Sequence, residues 1–179
     1  MKIVRKGVVL GGIALLAAAI GYWAELFDRS PSTNYTNASP PLIPELILSD
    51  LGGHSQNLGQ WRGKLLIVNY WATWCHPCRE EMPGFSRLHD KYRDKGVQFV
   101  GIGIDNVVKI KEFQKTSPVS YPLLVGDIGT MEQSARLGNT KQALPFTAVF
   151  DREGNLALTR LGRFQEADLE RYLLELISR

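Results

Sequence analysis

Cys75-His76-Pro77-Cys78 holds the only two cysteines of the chain. Two thiols separated by two residues can close a small disulfide ring, and opening that ring moves two electrons. The apolar run Leu65-Leu66-Ile67-Val68-Asn69-Tyr70-Trp71 precedes the pair, and a stretch with helical spacing follows it. That order puts the cysteines at a helix start, where unpaired N–H groups and the positive end of the backbone dipole favour thiolate over thiol. The thiolate is the attacking species, so the pair reads as a redox-active dithiol. A structural disulfide and half of a zinc site are the two other uses of such a pair. A bridge across two residues closes too short a loop to stabilise much. Zinc takes four ligands, and only His54, His76 and His89 could join the sulfurs. His76 would have to fold back on the same ion.

The elements that must hold this pair are visible in the pattern. Leu65 to Trp71 is a continuous apolar run with β-branched members, as suits a buried central strand. Beyond the cysteines, Met82, Phe85, Leu88 and Tyr92 recur at helical spacing from Cys78 to Lys95. Pro83 lies inside that helix and predicts a kink, because it removes a donor and crowds the preceding turn. Val97 to Ile104 is a second buried strand, followed by helices over Val107–Gln114 and Thr130–Leu137. Phe146–Phe150 and Leu156–Leu161 read as a hairpin around the turn Asp151-Arg152-Glu153-Gly154. Leu169, Tyr172, Leu173 and Leu176 place a helix over Glu166–Ile177. Leu46-Ile47-Leu48 with the turn Gly52-Gly53 predicts a short strand at the domain's start. The expected fold is α/β: a mixed central sheet with helices on both faces.

The first 44 residues differ in character. Lys2, Arg5 and Lys6 precede an uncharged stretch from Gly7 to Ala24. As a helix it would span roughly 27 Å, close to a bilayer core of about 30 Å. Tyr22 and Trp23 stand at its far end, where amphipathic rings favour the interface, and the basic residues on the near side would stay cytoplasmic. A signal peptide cleaved near Ala17-Ala18-Ala19 is the competing reading, but it would leave Ile20-Gly21-Tyr22-Trp23 exposed. Residues 1–25 are therefore expected to be a membrane anchor, and 26–44, rich in Pro, Ser and Asn, a tether. Residues 45–179 form the domain. The net charge is +3, and setting aside Lys2, Arg5 and Lys6 leaves 18 basic against 18 acidic residues. No basic block with interleaved aromatics points to nucleic acid.

The string from Val68 to Pro83, Val-Asn-Tyr-Trp-Ala-Thr-Trp-Cys-His-Pro-Cys-Arg-Glu-Glu-Met-Pro, resembles the thioredoxin superfamily. More narrowly it is similar to the membrane-tethered TlpA/ResA-like thiol-disulfide oxidoreductases, which include cytochrome c maturation reductases. The resemblance runs from about Glu45 to Arg179. It implies a thioredoxin-like fold with an N-terminal hairpin and a central insertion, here Val107 to Leu137. It implies that Cys75 is the exposed nucleophile and Cys78 the resolving thiol. It also implies that Pro145 is a cis-proline facing the pair, and that Glu81 handles protons. Glu81 lies three residues beyond Cys78, on the same helix face; a solvated surface charge is the alternative, and the better reading for Glu80. Thioredoxin has a buried aspartate where this chain has Asn69, which cannot relay a proton by ionising. Trp74, His76, Pro77 and Leu144 are the expected substrate contacts. His76, when protonated, could also stabilise the Cys75 thiolate. Trp71 and Tyr70 are assigned to the core, and His54 and His89 to the surface.

The expected function is reduction of disulfides in exported proteins, such as apocytochrome c or copper-site proteins. No metal and no cofactor beyond the Cys75–Cys78 disulfide is called for. A membrane electron donor would return electrons, and the domain, facing the periplasm from the inner membrane, would act as a monomer. The same dithiol run in reverse would be an oxidase or isomerase, and two soft thiolates could instead hold copper(I). A peroxidase on a related fold would want a lone peroxidatic cysteine, which the adjacent pair argues against.

Overall fold

The computed structural model describes residues 45–178. The expected anchor and tether, 1–25 and 26–44, lie outside the described residues. Among the described residues no helix is long and apolar enough to cross a membrane.

A hairpin of β1 (Ile47–Asp50) and β2 (Ser55–Asn57) opens the domain. Then come β3 (Leu65–Trp71), α1 (His76–Tyr92), β4 (Val97–Ile104), α2 (Val107–Thr116), β5 (Leu123–Gly126) and α3 (Ile128–Ser134). The chain closes with β6 (Phe146–Phe150), β7 (Leu156–Leu161) and α4 (Glu166–Ile177). The strands form one seven-stranded sheet in the order β2-β1-β5-β4-β3-β6-β7. β3, β4 and β5 are parallel neighbours, as crossover helices require, while β1 and β6 pair antiparallel at either side. This is the mixed sheet expected from the pattern, with the N-terminal hairpin that the resemblance implied.

β3 lies at the centre, and its alternation sends side chains into two cores. Leu65, Ile67 and Trp71 meet Met82, Phe85 and Leu88 of α1, Ile110 of α2 and Leu169, Leu173 and Leu176 of α4. Leu66, Val68 and Tyr70 meet Leu58, Leu137 and Phe146 on the other face. Tyr172, expected in the α4 stripe, sits at the rim instead and is partly exposed. The central segment 107–137 supplies a strand as well as helices: β5 lies between β1 and β4, a place the sequence pattern did not reveal. Its four residues are too few to show a period.

α1 starts at the cysteines because Cys75 has extended backbone and accepts from the Cys78 N–H, with Pro77 in the first turn. The helix runs unbroken through Pro83, whose ring is exposed. A short 3₁₀ turn, Arg93–Lys95, follows it and stops at Gly96, whose φ of 82° is a left-handed conformation that suits glycine. α4 is tied across α1 by Arg87 to Glu166 and by Lys91 and the Tyr92 hydroxyl to Glu170.

β4 makes room for α2 and Trp71 by carrying glycines on that face. A Cβ on Gly103 would lie 2.6 Å from Ile110 Cδ1, and one on Gly101 would lie 2.7 Å from Leu123 Cδ2. Gly103→Val should therefore destabilise the protein by about 1–3 kcal/mol through overpacking. Urea unfolding checks this; an unchanged midpoint would mean that α2 moves aside freely.

Candidate active site

Cys75 and Cys78 are joined as a disulfide, with Cα atoms 5.3 Å apart. The Cys78 N–H donates to Cys75 Sγ at 3.3 Å, a donor that a thiolate there would keep. Cys75 was expected to be exposed. It is in fact 5% exposed, against 0% for Cys78, because both residues belong to the core packed with α1. Of the two residues, only Cys75 keeps any accessible surface.

Around the pair, Trp74 stands out at 69% exposed. Pro77 is exposed on the first turn of α1. His76 points along the helix to Glu80, with Nε2 at 3.3 Å from Oε1, and not toward the sulfurs. Glu80 is a solvated charge held between His76 and Arg163. The Leu144–Pro145 peptide bond is cis, as the resemblance implied, and Leu144 packs half-buried against the core that holds both cysteines. A groove of about 530 Å³ runs from His76 along α1 to Phe113 and Val119; neither cysteine lines it.

The cis-proline loop is held by Asn139, whose role sequence reasoning missed. Fully buried, it accepts from the Ala143 N–H and donates to the Ala143 carbonyl, each at 3.1 Å, and it also bonds Ser134. An Asn in a short polar stretch reads as a turn residue; only its burial marks it as a brace. On the other side of the pair, the Thr73 hydroxyl donates to Asp105 at the end of β4.

Glu81 is buried, with only 4% of it exposed, so it is not a solvated surface charge. It lies one helical turn beyond Cys78. Asn69 Nδ2 on β3 donates to its Oε1 at 2.8 Å, and the Phe164 N–H donates to its Oε2 at 2.7 Å. Burial pushes the carboxyl up to about 7, while the two donors and the nearby Arg163 charge hold it back. A buried acid that gains and loses a proton near neutrality can serve a sealed thiol as base and acid. Asn69, Arg163 and the Phe164 N–H are the partners that sequence reasoning did not find, and Thr147 in turn accepts from Asn69. Phe164 contributes only its backbone, which leaves no mark in the sequence.

Arg163 carries a checkable consequence. Arg163→Gln removes a cation that favours the charged carboxylate, so the Glu81 midpoint should rise above about 7. The ¹³C shift of the Glu81 carboxyl against pH reads this directly. Because Arg163 is exposed, added salt should shrink the difference; a midpoint unmoved at low salt would contradict it.

His89, assigned to the surface, is instead buried. It lies against Phe99 and Tyr121, with ring centroids 6.1 and 6.2 Å away, because its position on α1 faces the sheet. Burial lowers its pKa. Among the described residues no group of three or more His, Cys, Asp or Glu gathers as a metal site.

The comparisons with known proteins bear on the fold and the activity. Residues 42–159 match the AhpC/TSA family. The thiol-disulfide oxidoreductase ResA of Geobacillus kaustophilus is 28% identical over 164 residues, covering 90% of each chain. Among solved structures, a thioredoxin-related protein from Neisseria meningitidis serogroup B is 33% identical with a TM-score of 0.66, covering 74% of this chain and 99% of that one. A thiol:disulfide interchange protein from Chlorobium tepidum is 26% identical with a TM-score of 0.68, covering 78% of this chain and 98% of its own. With its Cys75–Cys78 pair at the start of α1 and its thioredoxin-like sheet, the chain belongs to the AhpC/TSA family, among the ResA-like thiol-disulfide oxidoreductases.

Proposed function

We propose that this protein reduces disulfides in exported proteins, with the cysteine pair itself as the electron carrier. The observation that carries this reading is the division of labour at the start of α1. Cys75 keeps the only accessible surface of the pair, 5% of the residue, beside exposed Trp74, while Cys78 is fully buried, one turn from a buried acid.

In the reduced protein the Cys75 thiolate attacks a substrate disulfide. One substrate sulfur leaves as a thiolate, and a mixed disulfide joins Cys75 to the other. Glu81, as carboxylate, takes the proton of the Cys78 thiol. The Cys78 thiolate then attacks Cys75 Sγ, releasing the second substrate sulfur and closing the Cys75–Cys78 ring. The substrate gains two electrons and the protein loses two. Trp74, Pro77 and the Leu144–Pro145 loop form the rim against which substrate backbone lies, with Pro145 presenting its cis bond to the incoming strand. His76, engaged with Glu80, is a rim contact and not a sulfur partner.

The uncharged stretch 7–24 behind Lys2, Arg5 and Lys6 supports an anchored domain facing the periplasm, tethered within reach of a membrane electron donor. Proteins whose paired cysteines must be kept reduced for haem or copper attachment are the candidate substrates. A membrane-impermeant maleimide applied to reduced spheroplasts tests the placement. Labelling of Cys75 in unlysed spheroplasts is expected; labelling only after lysis would put the domain on the cytoplasmic side.

A further inference from the structure

Every group bonded to Glu81 is a donor. Asn69 Nδ2 faces Oε1 at 2.8 Å and the Phe164 N–H faces Oε2 at 2.7 Å. That set fits a carboxylate. A carboxylic acid in the same place would press its own proton against one of them. The Phe164 N–H is fixed by the backbone, so Oε2 remains an acceptor and the proton belongs on Oε1, facing Asn69. Other groups near the carboxyl give no acceptor in contact. Arg163 is a cation, Glu80 is engaged with Arg163 and His76, and Arg87 is engaged with Glu166. The Tyr121 hydroxyl, which feels the Glu81 charge, has no hydrogen-bond partner among the described residues.

Asn69 can resolve the conflict by turning. It is 1% exposed, and its Nδ2 donates a second bond, to Thr147 Oγ1 at 3.1 Å on β6, the strand paired with β3. Its Oδ1 has no partner among the described residues. A half-turn of the amide brings Oδ1 to the place of Nδ2, facing both Glu81 and Thr147. Both neighbours can then donate: Glu81 through its acid proton, Thr147 through a hydroxyl hydrogen that rotates freely. Two bonds are kept when Glu81 is charged and two when it is neutral. The other amide corner stays unpaired in both, so its cost largely cancels.

We propose that Asn69 is a positioning residue that turns its side-chain amide as Glu81 gains and loses its proton, with Thr147 reversing its hydroxyl in step. An aspartate at this place would titrate in competition with Glu81; an apolar residue would leave the acid unpaired; asparagine serves both states. This rests on the reading of Glu81 as the proton carrier.

The test is NMR on the full, oxidised chain across the pH range around 7, following the Glu81 carboxyl carbon and the Asn69 side-chain amide together. The expected result is a strong cross-peak between the Asn69 NH₂ and the Thr147 methyl above the Glu81 midpoint and its loss below, at the same midpoint. A titrating Glu81 with an unmoved amide would overturn the proposal and leave Glu81 standing as the carrier. A carboxyl carbon that does not titrate would overturn both. Asn69→Ala gives a second readout. Because both states lose a bond, the Glu81 midpoint should move by less than about one pH unit, a tenfold change in the equilibrium. A larger upward move would show a fixed donor to the carboxylate and would also overturn the proposal.

Discussion

Cys75→Ser will abolish disulfide reduction, while Cys78→Ser will stop the protein after the first attack. The two outcomes differ because the two sulfurs occupy different places. Cys75 caps α1 and keeps the accessible surface; Cys78 is fully buried and can reach only Cys75. Without Cys75 no sulfur meets the substrate. Without Cys78 the mixed disulfide forms and persists, because nothing returns to break it. Incubating each variant with an insulin or apocytochrome peptide disulfide, followed by mass spectrometry under denaturing conditions, reads this directly. The adduct should appear on Cys78→Ser alone. An adduct of comparable yield on Cys75→Ser would mean that Cys78 is the nucleophile and that the observed burial opens on reduction.

Glu81→Gln will remove a pH dependence. The glutamine can still accept from the Phe164 N–H through its carbonyl, but it can neither take nor return a proton. Loss of general acid–base assistance typically lowers a rate by about 10²-fold or more, so the resolving step should slow on that scale. Its rise with pH through about 7 should vanish. The stability change has a definite sign. The folded protein binds the Glu81 proton more tightly than the unfolded chain, the carboxyl standing at about 7 against an ordinary 4.5. The wild-type protein should therefore lose stability as the pH rises through that window, by up to about 3 kcal/mol from this group. Glu81→Gln should flatten that part of the curve. Urea midpoints at the two ends of the window, for both proteins, check it; parallel curves would mean that Glu81 ionises as freely as in water.

Long periodic segments were legible before the structure. β3, β4, β6, β7 and α4 lie where their residue patterns put them, because a continuous apolar run and a leucine stripe each have one way to be buried. β5 was not legible: Leu123–Gly126 is four residues of strand between a proline and a capping aspartate, and it is recognised only by pairing with β4 and β1. The cysteine pair stood out by type and context, and the cis-proline only through the family resemblance. The surroundings of Glu81 did not, since its partners come from 12 residues back and 83 residues on. His89 shows the opposite failure. A histidine in a polar helix reads as a surface residue, and only packing against Phe99 and Tyr121 shows that it faces the sheet.

The reductive assignment stands or falls on the potential of the Cys75–Cys78 couple, measured by equilibrating the full chain against glutathione or dithiothreitol at pH 7. A value at or below roughly −220 mV, toward the thioredoxin end of the scale, is expected for a reductase fed by a membrane donor. A value near about −120 mV would mark a strong oxidant, and would contradict the proposed direction of electron flow while leaving the site chemistry intact.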